Sequence, residues 1–359
     1  MIKHIVTSTS NYRHLANQLI LQLEYGNDAN TNRKPIAEIN PALHEQVIKD
    51  NYGQYETYPF PDGEIYHRFT NFKQFSNKDV ILIGGMTNAQ ETMETFYMGC
   101  TIVESARSLT IVVPFLGYST MERRTKPGEI VKAEKNLHLL RSIPNAEVKN
   151  KYVFIDLHTE GLPYYMGADV RKYHLYTKAL VFKACREISN GQDFILGSVD
   201  TGRSKWIESL AKDMSKEFSR EIVPTIVSKN RNSGTDTEIT GHQGANPAGK
   251  IVIIYDDMVR SGGSVKKAAA LYRELGATEV HMITTHGIFP NIEGEDHTEI
   301  QSSAMLIAGP NPILDSLWTT DTHPNALKSE AGEIQIQSVS GLIADFIREM
   351  TEFTNQPNL

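Results

Sequence analysis

The sequence predicts an α/β protein of two domains, each built on a mainly parallel sheet. Three observations point there. Short, unbroken apolar runs rich in β-branched residues recur along the chain, as strands buried on both faces of a parallel sheet do. The clearest, residues 251–255, leads through a small-residue turn into a helical stretch. Val265, Ala268, Ala269, Tyr272 and Leu275 lie on one face of that stretch, and Gly276 stops it. At 359 residues the chain is long enough for two cores.

Taken in order, residues 2–6 read as a strand. Thr7 to Ser10 form a polar turn before a helix near Tyr12, whose apolar face is Leu15, Leu19, Ile20 and Leu23. Residues 27–51, with Pro35 and Pro41, read as an irregular surface excursion holding a short helix near His44. Asp62-Gly63 between alternating flanks is a hairpin signal. Strands follow at 80–83, 109–115 and 152–155, with a helix over 92–106. A second α/β series opens at 194–199 and continues with strands at 222–227, 251–255 and 280–284. Residues 228–249 read as a long polar loop, the kind that serves as a lid. Short strands at 304–307 and 334–337 and an amphipathic helix over 342–350 close the chain.

Composition narrows the function classes. Hydrophobic residues make up 40% and charged residues 22%, ordinary for a soluble globular protein. A net charge of −7 argues against a nucleic-acid partner held by bulk charge. No apolar run approaches the length of a membrane span, and the N-terminus lacks the apolar core of a signal peptide. The two cysteines, Cys100 and Cys185, have no metal-ligand spacing, which suits a reducing cytoplasm.

The chemistry centres on IVIIYDDMVRSGGS, residues 251–264. Glycines let consecutive backbone N–H groups line one concavity, and the helix N-terminus adds partial positive charge. Ser261 and Ser264 add hydroxyl donors around Gly262 and Gly263, so the turn suits a phosphate monoester. Asp256 and Asp257 sit too close to an anion to be its ligands. They are suited to sugar hydroxyls or a hydrated Mg²⁺. A second phosphate-loop mimic, GSVDTGRS at 197–204, is rejected: the lysine position holds Arg203, and Lys205 comes one place late.

The Asp256-to-Ser264 element resembles the phosphoribosyl-diphosphate (PRPP) loop of type I phosphoribosyltransferases and PRPP synthetases. Phe60 to Glu64, Asp156 to His158 and Thr285 to Phe289 resemble segments of the synthetases, so the chain is similar to a divergent class I PRPP synthetase from residue 2 to about 350. The resemblance implies two pseudo-symmetric phosphoribosyltransferase-type domains, an ATP-side domain at 1–166 and a domain with the PRPP loop at 167–335, then a closing helix at 336–359. It implies an active site between the domains, completed by a neighbouring subunit of a homo-oligomer, dimer or hexamer. It also implies transfer of the β,γ-diphosphate of Mg–ATP to the anomeric hydroxyl of ribose 5-phosphate, releasing AMP.

Residue roles follow from the same resemblance. Phe60 stacks on the adenine of ATP, and Asp62 and Glu64 accept from its amine. Arg123 and Arg124 belong to the nucleotide-binding segment. His158 and Asp200 hold Mg²⁺, with His158 also at the ATP site and oriented by Asp156. Lys229 and Arg231 match a mobile catalytic Lys-x-Arg loop. Asp256, Asp257, Arg260, Ser261, Gly262, Gly263 and Ser264 bind the ribose phosphate.

Two departures bear on the substrates. The family's Arg-Gln nucleotide pair is replaced by Thr120 and Met121. Arg260 stands where the family loop carries Asp, and an added guanidinium suits a more anionic acceptor such as ADP-ribose, a substrate of NAD metabolism. A type I phosphoribosyltransferase, which consumes PRPP, and a catalytically silent paralogue are the other classes that share the loop.

Overall fold

A computed structural model describes residues 4–26, 41–233, 236–293, 300–302, 313–328 and 334–355. The chain divides into two units, Met1–Leu175 with Ser338–Leu359, and Tyr176–Gln337.

In the first unit the apolar runs near 2–6 and at 80–83, 109–115 and 152–155 become strands, and others join them. The strands are β1 (His4–Ser8), then β2 (Tyr55–Pro59) and β3 (Ile65–Phe69), β4 (Asp79–Ile83), β5 (Ser108–Val113), β6 (Lys151–Ile155) and β7 (Arg171–Leu175). The order β1-β4-β5-β6-β7 is parallel throughout. Its helices are α1 (Arg13–Tyr25), α2 (Pro41–Asn51), α3 (Ala89–Val103) and α4 (Lys132–Arg141). Asn88 caps α3 by accepting from the Glu91 N–H at 2.9 Å, a competent start for the helix. Leu82, Ile111 and Phe154 pack against Met98, Ile102 and Leu137 in one core. β2 and β3 form the expected hairpin, outside the main sheet.

The domain limits differ from the sequence reading. The boundary moves from 166/167 to 175/176, because Arg171–Leu175 pairs with β6 as the last strand of the first sheet. The closing helix, Ser340–Asn355, belongs to the first unit. There Phe346 meets Tyr173 at 4.9 Å and Arg348 bonds the Gln22 carbonyl.

The second unit starts with α5 (Lys178–Ser189), β8 (Phe194–Gly197) and α6 (Ser204–Glu217), followed by β9 (Pro224–Ser233) and β10 (Asp236–Gly244). Then come β11 (Ile251–Val259), α7 (Gly263–Glu274), β12 (Glu279–Gly287), β13 (Asn291–Glu293), β14 (Ile300–Ser302), β15 (Ser316–Thr320) and β16 (Ile334–Gln337). The sheet order is β10-β9-β8-β11-β12-β15-β16, parallel except for the β9–β10 pair. Val265, Ala268, Ala269 and Tyr272 of α7 are buried as the periodicity requires, and Leu275 packs beside them.

Two further expectations are corrected. Residues 228–249 are not one long loop, since most of them form the arms of the β9–β10 hairpin. A polar antiparallel pair at the end of a sheet lacks the continuous apolar run that marks a buried strand. β11 does not stop at Tyr255 but continues to Val259, so both acids lie within the strand. Helix α2 makes residues 41–51 regular. The expected strand at 304–307 and residues 27–40 lie outside the described residues. Among the described residues no helix is long and apolar enough to cross a membrane.

Candidate active site

β11 delivers Asp256 and Asp257 to one corner of the second unit, where Arg203 meets them. Its guanidinium pairs with the Asp257 carboxylate, and its Nε lies 3.6 Å from Asp256 Oδ1. The Arg203 side chain is 15% exposed and that of Asp257 3%, so both are largely withdrawn from water. Asp256 Oδ1 also accepts from the Asp257 N–H at 3.0 Å. Burial pushes the Asp256 carboxyl well above the usual carboxylate range. The Asp257 charge adds to this, Arg203 opposes it and Asp200 reinforces it.

Arg203 ends a short 3₁₀ turn, Thr201–Arg203, for which Asp200 is the cap. Asp200 Oδ1 accepts from the Gly202 N–H at 2.9 Å, which fixes the turn. This settles the shape of the pseudo-phosphate loop: it is a capped turn entering α6, and its arginine faces the acids.

Beyond Val259 the chain turns through Gly262, at φ 75°, a left-handed conformation that glycine adopts freely. Gly262 is the N-cap of α7 and offers no side-chain cap, which leaves first-turn N–H groups to an anion. Ser261, Gly263, Ser264 and Arg260 are exposed around it.

The Thr285–Phe289 segment forms a buried support beneath this corner. The Thr285 carbonyl accepts from the hydroxyls of Thr320 at 2.7 Å and Thr322 at 3.0 Å. His286 Nδ1 lies 2.8 Å from the Thr322 hydroxyl. Gly287 is required here, because a Cβ would meet the Phe289 ring at 2.3 Å. Neighbouring His323 is pushed down to about 3, first by burial, then by the charges of His286, Lys328 and Arg260.

In the first unit the nucleotide candidates face outward. The hairpin tip is closed by Phe60 N–H to Glu64 carbonyl at 2.7 Å and by Gly63 at φ 91°. Asp62 braces it by accepting from the Glu64 N–H at 3.1 Å. Phe60 remains 41% exposed, edge-on to Tyr58, which itself stacks on Tyr66 at 4.7 Å. Arg123 and Arg124 are exposed, and Arg123 Nε lies 3.7 Å from Glu122. Met121 is also exposed. His158 is half-buried in the turn after β6. Asp156, which opens that turn, is buried at φ 37°, a left-handed conformation Asp tolerates better than most residues.

Lys229 and Arg231 lie on β9, in register with Ile239 and Thr237 of β10, and their side chains lie outside the described residues. The sequence reading missed two contributors. One is Arg203, singled out only as a failed lysine. The other is Trp206, which stacks on Tyr255 at 4.7 Å and 11° beside the acids. Their spacing in sequence gives no signal, because their partners lie on β11.

Two parallel-sheet units, one carrying paired acids on its central strand ahead of an uncapped helix, define a phosphoribosyltransferase-type α/β protein. Residues 6–143 match the N-terminal domain of ribose phosphate pyrophosphokinase, and residues 178–302 match the phosphoribosyl transferase domain. The chain is 30% identical over 256 residues to ribose-phosphate pyrophosphokinase of Pyrococcus abyssi, covering 69% of this chain and 81% of that one. It is 27% identical over 321 residues to the chloroplastic ribose-phosphate pyrophosphokinase 2 of Arabidopsis thaliana, covering 86% and 72%. The phosphoribosylpyrophosphate synthetase from Mycobacterium smegmatis shares the fold, with a TM-score of 0.74 at 21% identity over 98% of this chain and 100% of that one. The chain belongs to the ribose-phosphate pyrophosphokinase family and is a diphosphotransferase.

Proposed function

We propose that the protein moves the β,γ-diphosphate of ATP onto the anomeric hydroxyl of ribose 5-phosphate and releases AMP. The observation that carries this is the paired-acid strand running through a glycine turn into the uncapped helix, which supports a diol subsite followed in the chain by a phosphate subsite. Asp256 and Asp257 accept from the ring hydroxyls. Ser261, Gly262, Gly263 and Ser264 hold the 5-phosphate. The anomeric oxygen forms the new bond to the β-phosphorus as the bond from that phosphorus to the α-phosphate oxygen breaks. AMP departs with that oxygen, and the hydroxyl proton goes to solvent. Positioning of this kind contributes about 7–11 kcal/mol to lowering a barrier.

On the nucleotide side, Phe60 stacks on adenine and Asp62 and Glu64 accept from its amine, with Arg123 and Arg124 along the phosphates. Lys229 and Arg231 neutralise charge on the transferred group. Among the described residues no group of three or more His, Cys, Asp or Glu gathers as a protein-built metal site. Mg²⁺ takes one or two protein ligands and completes its shell with phosphate oxygens and water. His158 and Asp200 are each proposed as such a ligand. Mg²⁺ so bound would neutralise phosphate charge and polarise the β-phosphorus. The exposed Phe60 tip fits an expected homo-oligomer in which a neighbouring copy supplies the adenine platform. The expected compartment is the cytoplasm.

A second reading rests on Arg260, exposed beside the cradle. Its guanidinium suits a diphosphate at the 5-position, which makes ADP-ribose the acceptor and ADP-ribose 1-diphosphate the product. AMP release from Mg–ATP, with each acceptor offered separately and products weighed by mass spectrometry, tests both readings. Arg260→Asp should weaken use of ADP-ribose about tenfold more than use of ribose 5-phosphate. An equal loss with both acceptors would sink the second reading. AMP with neither acceptor would sink both.

A further inference from the structure

We propose that Arg203 is a positioning residue for the acceptor: its guanidinium clamps Asp256 and Asp257 in the arrangement that receives the acceptor's two ring hydroxyls. This rests on the diphosphokinase reading above.

Three features support it. Arg203 ion-pairs with both acids, and its side chain is 15% exposed, so the clamp is a built contact and not a surface ion pair. Its backbone is fixed on both sides. The Asp200 cap holds the turn that ends at Arg203, and α6 starts at the next residue, with Ile207 and Leu210 buried in the core. One helical turn further on, Trp206 lies flat on Tyr255, the residue before Asp256. The guanidinium and the acids are therefore each held by rigid neighbours.

The chemistry requires such a cation. A sugar hydroxyl donates to a carboxylate, and a protonated carboxyl loses acceptor capacity. Among the described residues, the charged groups facing Asp256 include Asp257 on its own strand, with Asp200 and Arg203 from the turn. On the adjoining strand, His286 stands in register with Met258. Two of those groups are like charges that favour protonation of Asp256. Among the described residues Arg203 is an opposing charge. Its planar fork also fixes where the carboxylate oxygens lie, which an ammonium group does less well.

The test compares wild type with Arg203→Gln and Arg203→Lys. It reads KM for acceptor, KM for ATP, kcat, and acceptor binding without ATP followed by tryptophan fluorescence in a Trp318→Phe background, which leaves Trp206 as the reporter. Arg203→Gln should raise acceptor KM about ten- to hundredfold and leave ATP KM within about twofold. The acidic limb of acceptor binding should move to higher pH, because a charge that opposes protonation of Asp256 is gone. Arg203→Lys should return the limb to its wild-type position while recovering part of the KM loss. If Arg203→Gln does not fold, as seen by circular dichroism, the lysine variant carries the test through its KM. An acceptor KM and an acidic limb unchanged in both variants would overturn the proposal. So would equal losses in acceptor and ATP KM with an unmoved limb, which is the mark of a merely structural role. Failure of the underlying reading is separate: wild type itself would release no AMP with either acceptor.

Discussion

In the second unit the candidate acceptor groups are already engaged with one another: two acids on β11, a guanidinium across them, and a capped turn behind it. In the first unit the candidate nucleotide groups reach outward. Phe60 sits at the tip of a hairpin, and Arg123 keeps 78% of its side chain in solvent. Both regions follow a parallel strand or hairpin with short, well-bonded turns, so backbone order does not separate them. They differ in how much charge each has already desolvated. A buried set of opposite charges is fixed in geometry but intolerant of losing a member. An exposed aromatic and two exposed arginines cost little to keep or remove, and they contribute only when a ligand or a second copy covers them.

That contrast sets an order of expected effects. The largest should come from Asp257→Asn, which leaves Arg203 partly unpaired inside the second unit. Breaking a buried pair from one side costs about 3–5 kcal/mol, so chemical denaturation should show a loss of that size together with lost acceptor binding. A loss under about 1 kcal/mol would mean that the corner is wetter than its burial implies.

Acid should separate the two units next. His323 in the second unit is buried, and its pKa is pushed from 6.5 down to about 3. Its unfolded form therefore binds more protons between these values, and stability falls as pH drops below 6.5. The cost approaches about 1.4 kcal/mol per pH unit in that window. Glu94 in the first unit acts in the opposite sense, because burial raises its carboxyl, so acid protonates the folded form first and favours it. Hydrogen exchange at pH 5 against pH 7 should show the second unit losing protection first, and His323→Gln should reduce that difference. Equal loss in both units would break the contrast.

The smallest change in stability should come from Phe60→Ala, within about 0.5 kcal/mol for an exposed side chain. Its effect should fall on ATP KM, by the roughly 1–3 kcal/mol that a base–aromatic stack contributes. A stability loss above 1 kcal/mol would show that the tip supports the hairpin through Tyr58 and Tyr66 and is not held in reserve for a base.

Much of the fold was legible because buried parallel strands announce themselves. Val80 to Ile83 and Tyr152 to Ile155 need no partner to be recognised as apolar runs. β7 escaped notice because RKYHL is an edge strand with half-exposed side chains, and so the domain boundary was set too early. The β9–β10 hairpin is hidden for a different reason: its sequence is polar and carries no continuous apolar run beyond Val227. In the candidate site, the acids, the glycines and the hairpin tip could be read as local words in the sequence. Arg203 could not, because its meaning depends on a strand some fifty residues further along, and only the fold brings the two together.

Tyr272, near the C-terminal end of α7, has a consequence of its own. Its hydroxyl donates to the Ser198 carbonyl at 2.9 Å and accepts from the Ser198 N–H at 3.1 Å, with the Thr225 carbonyl at 3.3 Å. One end of the helix is thus pinned to the segment that leads into Asp200, while the other end carries the uncapped turn. The helix is a strut, seated along Val265, Ala268 and Ala269 and fastened at its far end by one phenol. Tyr272→Phe would remove the bond that ties it to the segment just ahead of Asp200.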